Sequence, residues 1–330
     1  MASSNSHSPS TLTHIIIAIL AIFFIFSNSA YSVPIPFIDS TTNSTDNNTT
    51  NSTSTTTPSP VTPITSPDLI SNYRTMSFYA AAAYCKNLTT NWDCGLICSS
   101  TPGTQLISVI DGKAAESRAF VALNPDDKKI IVAFRGTLPQ DFRTIAVDAQ
   151  FLFGDYKPVP DAKVHAGFIN AFEEIRDRLV NEVKKQLELN PGYSIDVSGH
   201  SLGGALAVLT GLDFVQNSDT LKFDKLSVYT LGQPRLGNDI FADYVDKTLA
   251  VNRFVHTVDS YTRLPPQFIG YRHHNGEIWI QDDATAESGG TKQCGGDENP
   301  NCVNSVKVSD LNFGAHHGPY FGVDMHTCNG

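Results

Sequence analysis

The chain is poor in positive charge: its 330 residues carry 23 Lys and Arg against 33 Asp and Glu, a formal charge of −10. An acidic chain without a basic block excludes nucleic acid as an expected partner. It also lacks an apolar run of the roughly 20 residues needed to span a bilayer. Its longest run, Ile15–Phe26, has 12. No internal repeat is visible, which excludes solenoids and propellers. The tandem C-x2-C pattern of a zinc site is missing as well, because the cysteines are spaced C-x3-C and C-x7-C at 94/98 and 294/302.

What is present organises the chain into three parts. The short apolar run, followed by small residues at Ser27, Ser29, Ala30 and Ser32, has the form of a secretory signal, with residues 1–30 removed within a few positions. No Lys or Arg precedes it, so an uncleaved anchor is the competing reading. Residues 31–66 are dominated by Ser, Thr, Asn and Pro, with almost nothing to bury, and are expected to be a disordered segment, retained as a tail or cleaved as a pro-segment. Asn-x-Ser/Thr acceptors stand there at Asn43, Asn47, Asn48 and Asn51, and again at Asn87. From residue 67 to 330 the composition becomes that of one globular domain with no membrane span in the mature chain. Secretion makes the six cysteines a disulfide framework with 15 possible pairings. Cys94/Cys98 and Cys294/Cys302 are close enough to clip local loops, leaving Cys85 for Cys328.

Strand-like runs at Lys129–Arg135, Tyr193–Val197, Leu226–Leu231 and Arg253–Val258 alternate with helical patterns. Phe168, Phe172, Ile175, Leu179, Val183 and Leu187 recur at steps of three and four, one face of a helix that Pro191-Gly192 ends. Such alternation predicts a single α/β domain, a mainly parallel sheet with helices on both faces. Between the second strand and the helix predicted over 202–216 lies Gly199-His200-Ser201-Leu202-Gly203. This strand–turn–helix context is that of the α/β-hydrolase nucleophile elbow, with Ser201 at the helix N-terminus and the Leu202 N–H facing a developing oxyanion. A serine hydroxyl needs a base, and the base an orienting carboxylate, in the chain order Ser, acid, His. Asp259 follows a predicted strand and is preferred to Asp246, whose FADYVDK context looks helical and solvated. The later histidines are His316, His317 and His326; spacing does not choose between the first two. His273-His274 precede the strand-like EIWI and read as structural.

Six motifs in order, AFRGT (133–137), VHAGF (164–168), SGHSLGGALA (198–207), GQPRLGN (232–238), DSYTRLPP (259–266) and a histidine before YFG (320–322), resemble the fungal class 3 lipase family, which includes feruloyl esterases. The resemblance covers residues 70–328. It implies Asp259 as the acid, His317 (as H-x-x-Y-F-G) as the base with His316 the alternative, and Thr137 beside Leu202 as oxyanion donors. It also implies an end-to-end disulfide with two short clips, like the pairs Cys85–Cys328, Cys94–Cys98 and Cys294–Cys302. An amphipathic lid would fall near 138–149, where Thr144-Ile145 replaces the family's usual Asn-Trp. The implied activity is hydrolysis of carboxylic esters without metal or cofactor, by a secreted triacylglycerol lipase acting on lipid at an oil–water interface. Feruloyl or other soluble esters are the alternative substrates, and a noncatalytic secreted binding protein is the reading from another class.

Overall fold

The computed structural model describes residues 59–113, 116–138, 151–283, 286–325 and 327–328. The signal-like run, most of the Ser/Thr/Asn/Pro-rich segment with its four acceptors, lid residues 139–149 and His326 lie outside these. Eleven strands are described: β1 Val61–Pro63, β2 Gln105–Asp111, β3 Arg118–Asn124, β4 Lys129–Arg135, β5 Phe153–Asp155, β6 Lys163–His165, β7 Ser194–His200, β8 Leu226–Leu231, β9 Val251–His256, β10 Glu277–Ile280 and β11 Thr291–Cys294. The helices are α1 Pro67–Ala82, α2 Leu96–Ser99, α3 Ala166–Leu189, α4 Leu202–Gln216 and α5 Asp239–Thr248.

Nine strands form one sheet in the order β1-β11-β10-β9-β8-β7-β4-β3-β2. Its centre, β4-β7-β8-β9-β10, is parallel, and antiparallel strands flank it on both sides. Parallel strands must be covered on both faces, and the alternation of side chains across each strand divides the core accordingly. Ile130, Val132 and Phe134 of β4, with Ile195 and Val197 of β7, pack under α3, α4 and α5. Ile131 and Ala133, with Tyr229 and Leu231 of β8, face α1 and the C-terminal segment. On that second face β7 carries Asp196 and Ser198, each satisfied locally: Lys129 Nζ reaches Asp196 Oδ2 at 2.5 Å and Ser198 Oγ donates to the Met76 carbonyl at 2.9 Å.

All six residues of the predicted helical face are buried in α3. At roughly 1.5–3 kcal/mol for each large apolar side chain removed from water, that face holds the helix to the sheet. The observed β7 runs to His200, three residues past the predicted strand, so its last residue abuts Ser201; β9 begins and ends two residues earlier than predicted. One boundary needs correction. Val61–Pro63, counted with the disordered segment from their composition, pair with Cys294–Lys292 of β11, and Ser66 caps α1 by accepting from the Leu69 N–H. Backbone pairing requires no apolar side chains, so a polar segment can serve as an edge strand where a partner edge is open. The cysteines join as Cys85–Cys328, Cys94–Cys98 and Cys294–Cys302.

Candidate active site

The site is assembled at the carboxyl ends of the parallel strands, where α/β sheets place their binding crevices. Ser201 stands between β7 and α4 with φ 58° and ψ −125°, a conformation costly for a residue with a Cβ and a mark of functional sites. Its N–H is held by the Leu231 carbonyl at 2.8 Å. The motif glycines are sterically required: a Cβ on Gly199 would collide with the Gly203 carbonyl, and one on Gly203 would sit 2.5 Å from the Phe134 carbonyl. Leu202 is the first residue of α4, so its N–H has no carbonyl one turn earlier in the helix to bond and stands at the helix's positive end.

The AFRGT segment reaches Ser201 through Gly136. A side chain there would lie 2.9 Å from Ser201 Cβ and 2.5 Å from the Tyr84 hydroxyl. Thr137 therefore follows directly beside Ser201. Its hydroxyl is buried with no hydrogen-bond partner among the described residues.

Asp259 lies three residues beyond β9 and is fully buried. The loop bearing it is laced to the C-terminal segment, with Asn312 N–H donating to the Val258 carbonyl at 2.9 Å and Ser260 N–H to the Asn312 carbonyl at 3.4 Å. One carboxylate oxygen accepts from Tyr261 N–H at 2.9 Å. The other accepts from Nδ1 of His316, also at 2.9 Å, and His316 is as completely buried as its partner. Burial pushes the Asp259 carboxyl up to about 7, opposed by the Tyr261 N–H, the nearby His256 and His317 and the Tyr320 hydroxyl.

The motif spacing points to His317; in the structure the nitrogen bonded to Asp259 is Nδ1 of His316, the alternative, with His317 near enough to act on the same carboxylate. Both belong to the single tight turn Gly314–His317. At about three residues per turn, neighbouring side chains diverge by about 120°, so the two rings leave the turn in different directions. The turn's orientation is set by its carbonyls: Ala315 O accepts from His256 Nδ1 at 2.6 Å, and His316 O from His200 Nε2 at 2.8 Å and Tyr320 Oη at 3.0 Å. Counted from His316, Tyr320 comes one residue later than in H-x-x-Y. Gly318 accommodates the extra residue at φ 101°, where a Cβ would press on the Tyr320 N–H at 2.7 Å. His317 is half-buried on the flank of this turn, its carbonyl bound to Met325 N–H at 3.1 Å.

Three further side chains, Tyr84, His200 and Tyr320, complete the site. Tyr84 Oη accepts from Gly136 N–H at 3.0 Å and lies 2.7 Å from His200 Nδ1. Since His200 Nε2 must donate to a carbonyl, Nδ1 accepts, and the hydroxyl proton points to it. One chain of hydrogen bonds thus connects the AFRGT loop, the elbow and the histidine turn. His200 and Tyr320 could be suspected from their places in GHSLG and H-x-x-Y-F-G; Tyr84 could not. The His200 and His316 rings lie 4.6 Å apart. Asp246 accepts from Asn275 N–H in α5, and His273 and His274 are buried against Thr262 O and Gln233, all structural uses. Burial pulls His274 down to about 3 and His273 well below its ordinary value, so both are neutral.

A serine on a strand–turn–helix elbow, with a buried carboxylate–imidazole pair at the same sheet edge, defines an α/β-hydrolase. The family described as Lipase (class 3) matches residues 131–269. The chain is 34% identical over 264 residues to a lipase of Rhizopus niveus, covering 78% of this chain and spanning about two thirds (65%) of that relative's length. It superposes on the crystal structure of the lipase from Rhizopus microsporus var. chinensis with a TM-score of 0.75 at 33% identity, over 88% of this chain and 100% of that one. A triacylglycerol lipase whose catalytic centre is formed by a serine protease triad gives 0.74 at 32% identity, over 82% and 100%. The chain belongs to the class 3 lipase family.

Proposed function

We propose that the protein is a secreted triacylglycerol lipase with Ser201, His316 and Asp259 as its triad. The observation that carries this is the 2.9 Å Nδ1–H bond from His316 to a fully buried Asp259 at the sheet edge that presents Ser201. With Nδ1 protonated, the lone pair of the imidazole is on Nε2, the tautomer a general base requires. His316 takes the Ser201 proton as Oγ attacks the ester carbonyl. The oxyanion is held by the Leu202 and Thr137 N–H groups with the Thr137 hydroxyl, each donor contributing about 3 kcal/mol to the barrier. The imidazolium returns its proton to the leaving alcohol. Water, deprotonated by the same nitrogen, then attacks the acyl-enzyme, and as the tetrahedral intermediate collapses the imidazolium returns the proton to Ser201 Oγ and the fatty acid departs.

A lipid substrate is supported by the apolar surface that begins where the lid segment ends. Leu152 and Phe153 are exposed, Phe153 stacks on Tyr271 at 4.2 Å, and Phe268 and Ile269 are exposed on the adjoining loop. With a lid near 138–149, this rim would meet an oil–water interface. Three disulfides support a secreted, oxidised location, and exposed Asn87 is an accessible glycosylation acceptor. Among the described residues no helix is long and apolar enough to cross a membrane. The test is hydrolysis of a long-chain triglyceride emulsion beside methyl ferulate, with Ser201→Ala as control. Serine-dependent fatty acid release that rises above the substrate's solubility is expected. Ferulate release alone would move the protein to the esterases. Lack of Ser201 labelling by an organophosphonate would make it a binding protein.

A further inference from the structure

We infer that His256 is a positioning residue for the acyl-transfer histidine, braced in turn by Asp283. The inference rests on His316 being the base. His256 is the last residue of β9 and is buried. Its Nδ1 lies 2.6 Å from the Ala315 carbonyl and its Nε2 2.8 Å from Asp283 Oδ1. Asp283 reaches it from the neighbouring strand's exit, since His256 is in register with Ile280 of β10 and Asp283 follows three residues later. The Tyr320 ring packs beside it at 5.6 Å.

The place of this contact distinguishes it from ordinary satisfaction of a buried carbonyl. Ala315 C=O belongs to the peptide unit that carries the His316 N–H, so fixing its plane fixes the direction in which His316 leaves the backbone. Asp259, from the same loop as His256, grips the His316 side chain. One loop therefore holds consecutive residues at two points, backbone by His256 and ring by Asp259. Both partners of His256 are acceptors, a carbonyl on one side of the ring and a carboxylate on the other. Neither residue lies in the assigned motifs' catalytic positions, and neither is placed to touch substrate by any contact described above.

The test is steady-state hydrolysis of a p-nitrophenyl ester kept below its solubility limit, by the full-length protein and four variants. In His256→Leu, which removes the donor, kcat should fall about 10- to 100-fold with KM within about twofold, the scale of losing an orienting partner. His256→Asn places an amide N–H where Nδ1 was and should recover kcat to within about fivefold of the parent. Asp283→Ala, at a half-exposed position, should give an intermediate kcat with an unchanged melting temperature. Unaltered kcat in His256→Leu, an equal loss in His256→Asn, or a loss confined to KM or to melting would each overturn the inference. His316→Asn separates the two levels: if it stays active, the assignment of the base fails and the inference with it. If it is inactive while the His256 variants are normal, only the inference fails.

Discussion

Replacing His316 and His317 separately by Asn puts the reading of the site at most risk. His316 Nδ1 is bonded to a carboxylate with no solvent exposure, whereas His317 is half-buried on the turn's flank. An Asn at 316 has no nitrogen lone pair to accept the Ser201 proton. Loss of the base from a triad lowers kcat by about 10⁴-fold or more, which at about 1.4 kcal/mol per factor of ten is about 5.5 kcal/mol in the barrier. Asn at 317 removes a neighbouring imidazole that lowers the Asp259 carboxyl against its burial, and less than a tenfold change is expected. The assay is release of p-nitrophenol from a soluble ester, with Ser201→Ala setting the background. Melting curves verify that each variant folds. A His317→Asn variant at the Ser201→Ala background, with His316→Asn active, would refute the argument and show that the turn presents its second histidine to Asp259.

Asp259 also gives a pH dependence with two opposed signs. Held near 7 by burial, against about 3.9 in an unfolded chain, it binds more protons folded than unfolded, so stability declines as pH rises from about 4 to 7 and the full cost, a few kcal/mol, is present above 7. Asp259→Asn should therefore raise the melting temperature more at pH 8 than at pH 4 while abolishing ester hydrolysis; equal shifts at both pH values would contradict the burial argument. Activity of the parent should decline as pH falls through about 7, read from a kcat profile. Gly203→Ala, whose Cβ would meet the Phe134 carbonyl at 2.5 Å, should express poorly or lose Ser201 labelling by phosphonate, and full labelling would disprove the close contact. Replacing Cys85 and Cys328 by Ser opens a loop of 243 residues and should cost up to about 5 kcal/mol, measured by urea denaturation. Mass mapping that found Cys85 free would reject the bond itself.

Much of this protein could be read from local chemistry. The i, i+3, i+4 recurrence from Phe168 to Leu187 yields a helix in any sheet protein, because burial of one face is all it requires. The elbow is legible because its turn requires glycine at 199 and 203 and that spacing stands in the sequence, although the backbone that crowds position 203 is that of Phe134 in β4. Asp259 could be placed because the acid of such a site follows a strand end, and the end of β9 is visible in its apolar run. Where the sequence falls short, the deciding partner is distant. Val61–Pro63 become a strand only because β11, more than 200 residues later, offers an open edge. Tyr84 matters only because α1 brings its hydroxyl to Gly136 and His200. The choice between two adjacent histidines is the sharpest case, since every local property of His316 and His317 is alike. Carbonyl bonds from His256, His200 and Tyr320 set the turn, and the turn, not the residue type, determines which imidazole reaches the buried carboxylate.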